Sequence, residues 1–378
     1  MRLGQFHWAA LFLASVLAAS AAFAQPRPTL TVVSEGPFTP EGAQRLLVHS
    51  KRLGRDFLVV VSAPPASGAY VLPDLKLPVA RPPDRKLPTI YALDGGYGVS
   101  GPTAQMMAGA GLMSPAFVVS VSYPEGQPNQ RNTDLLFRPF SQNGATFGGG
   151  GAAFAAFLTQ DLRPFLEARY PMDPARAILF GHSFGGLFVA NVLAETPEAF
   201  AGYIIASPSV WADPQIPARL ALAAPKGNGR RVYVAAGEQE AVVSLQKPNT
   251  VEGAGEIAEA LSGPGAAFVV EKRIFAGATE ISYYPLLVPT AFAWILPPPG
   301  ARTAIAVAPE ALETLVGVYA MADGRKVTIT RKGASLFAQM TGMPGQTPLL
   351  AETPRRFFVP GGFDVLMTFE GEPGGPAR

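Results

Sequence analysis

The sequence predicts an α/β chain, on three observations. Apolar strand-like runs alternate with helical stretches, a Gly-x-Ser-x-Gly turn joins one such strand to a helix, and a Pro-rich linker leads into short alternating strands at the end. Alternation of this kind implies a mostly parallel sheet flanked by helices, with ligand chemistry at the carboxyl ends of its strands. The turn is Gly181-His182-Ser183-Phe184-Gly185, preceded by Ile178-Leu179-Phe180 and followed by Gly186-Leu187. Flanking glycines let a helix pass close to a strand without a Cβ collision, so Ser183 is expected on a strained turn above the sheet edge. The Phe184 amide then points to where an oxyanion would form, and the helix N-terminus adds partial positive charge there.

A chain of 378 residues that is 48% hydrophobic and 15% charged can bury a large core and is not expected to be disordered. Residues 1–24 stand apart from the fold. Arg2 forms a short basic start, Ala9 to Ala19 an apolar run, and Ala22-Phe23-Ala24 a small-residue cleavage site. That pattern is a cleavable signal peptide, which predicts a periplasmic or secreted protein beginning near Gln25. The apolar run is too short to span a bilayer comfortably, so no stable membrane insertion is expected after cleavage. With no cysteine there is no disulfide, thiol nucleophile or thiolate metal site. Two histidines remain after cleavage, so neither a metal nor a cofactor is expected. A net charge of +2 without a basic cluster argues against nucleic-acid binding.

Along the chain, Arg45–His49 and Phe57–Ser62 read as strands forming an antiparallel lead-in to the sheet, and Pro64–Arg85 as a Pro-rich surface excursion. Thr89–Leu93 is a strand ending in Asp94-Gly95-Gly96-Tyr97-Gly98, from which a second oxyanion amide is expected, at Gly95 or Gly96. Ala116–Val121 is another strand, and the long irregular segment from Tyr123-Pro124 to Gly151 suits an active-site wall. Its run Gly148–Gly151 lacks the Lys-Ser/Thr of a phosphate loop and reads as a flexible helix start. Phe154, Phe157, Leu158, Leu162, Phe165 and Leu166 recur at helical spacing, interrupted by Pro164, and are expected in the core. Tyr203–Ala206 leads into Ser207-Pro208-Ser209-Val210-Trp211, and Arg231–Ala235 into Gly237-Glu238-Gln239-Glu240. A helix over Glu252–Leu261, a strand over Phe268–Ile274 and a last helix to Ile295 complete a domain placed at 25–300. Beyond the linker Leu296–Gly300, residues 301–378 read as a small antiparallel β domain. Asp323-Gly324 and Lys332-Gly333 mark its hairpins, and Val327 and Ile329 face inward.

The stretches Leu93-Asp94-Gly95, Gly181-His182-Ser183-Phe184-Gly185-Gly186-Leu187 and Ser207-Pro208-Ser209-Val210-Trp211 together resemble the α/β-hydrolase "putative esterase" family. Arg131-Asn132-Thr133-Asp134-Leu135 and Tyr170-Pro171-Met172-Asp173 fit its periplasmic siderophore (enterobactin and salmochelin) esterase branch. The resemblance covers about residues 45 to 296. It implies an α/β-hydrolase fold, a serine carboxylic-ester hydrolase with Ser183 as nucleophile, a small-molecule ester as partner, and a pocket lined by Tyr97, Arg131 and Trp211. The segments Gly317-Val318-Tyr319, Leu336–Gly342 and Thr368-Phe369 resemble lipocalin-like domains, which implies a small all-β accessory domain at the C-terminus.

A serine hydroxyl is a poor nucleophile at neutral pH and needs a base, usually a histidine oriented by a carboxylate. In the resembling family that histidine follows the last strand. Here the loop reads Gly277-Ala278-Thr279-Glu280-Ile281-Ser282, with Glu280 in the histidine position. His182 adjoins Ser183 on a turn where neighbouring side chains diverge and is expected to pack beside it. His49 is expected at a strand edge. Glu280 is therefore a candidate base, if burial raises its pKa, and Glu238 and Glu240 are candidates for the acid position, although loop carboxylates are commonly solvated. The alternative is an inactive relative that binds an acyl or catecholate ligand.

Overall fold

The computed structural model describes residues 42–64, 86–142, 144–243, 246–298, 304–320, 324–342, 345–359 and 366–370, all within one compact unit, Pro40–Arg378. The proposed signal peptide, most of the Pro-rich excursion, Pro299-Gly300 and Asp323 lie outside the described residues.

Strands β1 (Ala43–Ser50) and β2 (Arg55–Ser62) form a hairpin, and β3 (Leu87–Ala92) runs through a 3-10 turn (Asp94–Gly98) into α1 (Ser100–Gly109) and β4 (Phe117–Ser122). The long segment carries α2 (Arg131–Asp134) and a small hairpin, β5 (Phe140–Gln142) with β6 (Ala145–Phe147). Next come α3 (Gly151–Ala156), a π-helical stretch (Phe157–Leu162) and α4 (Arg163–Arg169). The central strand β7 (Met172–His182) leads into α5 (Phe184–Glu195), followed by β8 (Gly202–Ala206), α6 (Ile216–Ala223), β9 (Arg231–Gly237), α7 (Glu240–Val243), α8 (Thr250–Ser262), β10 (Val269–Phe275) and α9 (Tyr284–Ile295). The C-terminal part holds α10 (Pro309–Glu313) and β11 (Gly317–Ala320), β12 (Lys326–Lys332), β13 (Ser335–Met340), β14 (Thr347–Thr353), β15 (Arg356–Phe358) and β16 (Leu366–Thr368).

The main sheet has the order β1-β2-β4-β3-β7-β8-β9-β10. It is parallel from β4 to β10 and antiparallel at β1–β2 and β2–β4, which is the antiparallel lead-in expected from the sequence. Helices cover both faces, so β3 and β8 are buried at every residue and carry no polar alternation. In β12, by contrast, Val327 and Ile329 are buried between more exposed neighbours, as befits a sheet with one packed face. The six C-terminal strands pair in sequence order around Leu312, Leu315, Ile329, Leu336, Phe357 and Phe369.

Two corrections concern the helix before β7. Phe165 is 47% exposed rather than in the core, although Phe154, Phe157, Leu158, Leu162 and Leu166 are buried as expected. Pro164 does not interrupt the helix either: it falls in the first turn of α4, after the π-helical stretch. A proline there lacks only an amide that has no intrahelical partner anyway. Among the described residues no helix is long and apolar enough to cross a membrane.

The crossing of α5 over β7 and β8 rests on two glycines. A Cβ at Gly181 would lie 2.1 Å from the carbonyl oxygen of Gly185, and one at Gly186 would lie 2.4 Å from that of Ala206. At Gly185 the nearest atom is a carboxylate oxygen of Asp94 at 3.4 Å. Gly181→Ala and Gly186→Ala should each cost about 1–3 kcal/mol of stability, as overpacked sites do. Gly185→Ala should cost far less, because a helical alanine regains part of any loss. Urea denaturation of the three variants checks the contrast, and equal losses would contradict it.

Candidate active site

Strand β7 ends beside β3 and β8. The amide of Leu93 donates to the Phe180 carbonyl at 3.0 Å, that of Ser183 to Ala206 at 2.9 Å, and that of Ser207 to Ala235 at 2.7 Å. The loops after β3, β7, β8 and β9 therefore leave the sheet side by side. Ser183 has φ 60° and ψ −121°, a left-handed backbone for a non-glycine residue, immediately before the first residue of α5. Its carbonyl accepts from Leu187 at 3.1 Å and from Ser209 at 3.4 Å, which holds the turn from both sides. The half-buried Ser183 hydroxyl lies 3.5 Å from the buried hydroxyl of Ser209.

The amide of Phe184 opens a helix of twelve residues and has no intrahelical carbonyl to meet. In the facing 3-10 turn, the Gly96 amide donates to the Leu93 carbonyl at 3.0 Å. That bond occupies one of the two amides expected at the oxyanion position and leaves Gly95, which precedes it, as the better placed of the pair. Gly96 has a conformational role instead: its φ is 57°, and a Cβ there would lie 2.8 Å from the Ser100 hydroxyl.

Asp94 begins this turn with φ 55°, a second left-handed non-glycine residue. Arg131 holds it with a two-pronged contact, Nε to Oδ1 at 2.7 Å and a terminal nitrogen to Oδ2 at 2.9 Å. The same guanidinium reaches the His182 carbonyl at 3.4 Å and lies over the Phe184 ring at 5.6 Å. Arg131, expected in the pocket lining, thus ties the 3-10 turn to the Ser183 turn through a charge-assisted pair. Trp211 packs against Phe184 at 5.5 Å and against Phe140 of β5 at 5.2 Å, so the long segment before α3 supplies part of an aromatic wall. The backbone of Tyr97 lies in the same 3-10 turn as Gly95.

The three carboxylates differ sharply. Glu240 is 3% exposed, not a solvated loop charge. Its Oε1 accepts from the Ser207 hydroxyl at 2.8 Å and the Gly237 amide at 2.5 Å, and its Oε2 from the Thr250 hydroxyl at 2.5 Å. The Ser207 hydroxyl also meets that of the fully buried Tyr283 at 2.7 Å. Burial raises the Glu240 pKa above the ordinary glutamate range, against the three donors, and the charge of Glu280 pushes the same way. Glu238 is exposed and accepts from the Gly277 amide at 2.7 Å, which clips the two loops together. Glu280 is half-buried, and its main-chain carbonyl lies 3.0 Å from Nε2 of His182.

That contact accounts for His182: it is buried, and desolvation lowers its pKa although Glu280 opposes the shift, so the neutral ring donates to the carbonyl of residue 280. His49 lies on the edge strand β1, with Nδ1 2.7 Å from Asp56. Among the described residues no group of three His, Cys, Asp or Glu side chains is disposed to hold a metal. Asp94, Ser207, Thr250 and Tyr283 carry the site and were not singled out from sequence. Asp94 and Ser207 sit inside the motifs already quoted, whereas nothing local marks Thr250 or Tyr283 as partners of Glu240.

Residues 70–262, just over half of the chain, match the family described as "Putative esterase". The chain belongs to that family. Residues 301–377 match a domain of unknown function, DUF3471. The ferri-bacillibactin esterase BesA of Bacillus subtilis is 29% identical over 290 residues, which span 70% of this chain and 92% of BesA. The crystal structure of the BES protein from Bacillus cereus superposes with a TM-score of 0.58 at 24% identity, over 71% of this chain and 99% of that one. The siderophore hydrolase EstB from Aspergillus nidulans gives 0.53 at 21% identity, over 69% and 98%. These likenesses establish the α/β-hydrolase architecture, and membership makes this a serine-hydrolase relative among siderophore esterases.

The cradle around Glu240 sets a pH dependence. A carboxyl whose folded pKa is raised contributes stability that is fully present below its unfolded pKa and is lost as pH rises through the folded one. Wild-type stability should therefore decline from below the ordinary glutamate range up through the raised pKa of Glu240, and Glu240→Gln should flatten that decline. Urea midpoints from pH 4 to 8 check this, and identical slopes in the two proteins would contradict it.

Proposed function

We propose that the protein is an exported serine hydrolase of siderophore-type carboxylic esters in which Ser183 is the nucleophile, Glu280 its base and Glu240 the buried carboxyl in the acid position. The observation that carries this reading is the Ser183 backbone, φ 60° and ψ −121°, at the head of α5. Such strain costs about 1–3 kcal/mol and persists only where the surroundings over-determine it, as they do at reactive turns. Ser183 Oγ would attack the ester carbonyl while its proton passes to the Glu280 carboxylate. The oxyanion would be held by the amides of Phe184 and Gly95, and collapse would return the proton to the departing alkoxide. Water then repeats the sequence on the acyl-serine. Repulsion between Glu280 and Glu240, one of the causes that raise the Glu240 pKa, favours a single proton held by the pair.

The substrate class is supported by the names of the relatives and by the aromatic wall of Phe140, Phe184 and Trp211, which suits a planar group such as a catecholate. Export to the periplasm or the medium is supported by the composition of residues 1–24. A second reading, a binding protein without turnover, is favoured by one observation: the described histidines are both engaged elsewhere, His49 with Asp56 and His182 with the Glu280 carbonyl.

Wild type should hydrolyse a p-nitrophenyl ester slowly and only with Ser183 present. Glu280→His should raise the rate by about 10² to 10⁴, the usual contribution of a general base of suitable pKa, and adding Ser183→Ala should abolish it. If neither wild type nor Glu280→His shows Ser183-dependent hydrolysis, the binding-protein reading replaces this one.

A further inference from the structure

The turns that carry Glu240 and Glu280 also carry aliphatic side chains held in solvent. Val242 is 77% exposed and Val243 66%, one short turn beyond Glu240, and Ile281, next to Glu280, is 63% exposed. Scattered exposed valines need no explanation, but these three sit on two loops that are fastened together. The amides of Val242 and Val243 both donate to the Gln239 carbonyl, at 3.0 and 3.1 Å, and the Gln239 amide donates to Ala278 at 2.9 Å. The Glu238 amide reaches Phe275 at 2.9 Å, and the Ser282 hydroxyl accepts from the Thr279 amide at 2.8 Å, which pins Ile281 between them.

The charge on these turns has one sign. No Lys or Arg occurs between Glu238 and Gln246 or between Phe275 and Leu296, while Glu238, Glu240 and Glu280 all fall within them. An anionic group is disfavoured beside such a rim, and a neutral apolar one is not. The aromatic wall lies on the loops after β4 and β8, whereas this rim follows β9 and β10, so the two serve different parts of a ligand at Ser183.

We propose that the ester cleaved at Ser183 carries a neutral aliphatic arm that lies across Val242, Val243 and Ile281, which makes these three the residues that select for it. The proposal takes from the preceding section only that Ser183 marks the reacting position. Its test is a binding measurement, independent of turnover. Ser183→Ala protein is titrated with p-nitrophenyl acetate, butyrate, hexanoate and octanoate, and tryptophan fluorescence quenching is followed. A methylene laid on one apolar face recovers about half the stabilisation of full burial, so affinity should rise about two-fold per methylene. Adding Val242→Ser, Val243→Ser and Ile281→Ser should bring that factor close to one. Should the triple change unfold the protein, Ile281→Ser alone, in an exposed turn, should still lower the slope. An affinity that does not change with chain length, or the same slope after the rim is made polar, overturns the proposal. Sedimentation with phosphatidylcholine vesicles in the absence of a chain-length slope overturns it in favour of a lipid contact. Failure of the Ser183 reading shows separately, as loss of Ser183-dependent hydrolysis by wild type.

Discussion

Everything at this site depends on one close backbone approach. The first turn of α5 passes so near the end of β7 that the Gly185 carbonyl occupies the place of a Cβ on residue 181, and the Ala206 carbonyl that of a Cβ on residue 186. Only hydrogen fits at either position. Ser183, between them, is forced into a left-handed conformation, and the same geometry leaves the Phe184 amide uncommitted at the head of a helix. The reactive group and one half of its anion-binding partner are thus consequences of a single packing contact.

The charges form a second layer built on that contact. Arg131 and Asp94 are a clamp between the two turns that face each other across the site, and the clamp explains how a second left-handed non-glycine residue is tolerated at Asp94. Glu240 is the opposite case, a buried carboxylate satisfied by two hydroxyls and one amide. Three donors suffice for hydrogen bonding, yet the group remains expensive to ionise in its dry setting, which suits a proton store behind a reacting pair. His182 is occupied with the main chain of residue 280, so its ring braces the loop that presents Glu280.

Much of this was legible in the sequence because it is local. The strand, turn and helix around Ser183, the fully apolar parallel strands and the alternation of Val327 and Ile329 each follow from spacing within a few residues. What was not legible depends on distant partners. Glu240 reads as a loop charge until Ser207 and Thr250 are brought to it, and Arg131 reads as a pocket residue until Asp94, 37 positions earlier, takes both prongs of its guanidinium. Phe165 matches the helical period but falls on the outer side of α4 beyond the π-helical stretch, whose extra residue per turn shifts the phase. Periodicity alone carries no sign of that change.

The central claim is that a carboxylate, Glu280, activates the serine that the glycine crossing presents. The direct measurement is the rate at which a fluorophosphonate modifies Ser183, followed by peptide mass spectrometry in wild type and in Glu280→Gln. The account predicts modification confined to Ser183, slow beside an enzyme with a histidine base, and slower by at least about ten-fold in Glu280→Gln, since a positioned base contributes 10² or more. Equal rates in the two proteins, or no modification of Ser183 in either, would contradict it.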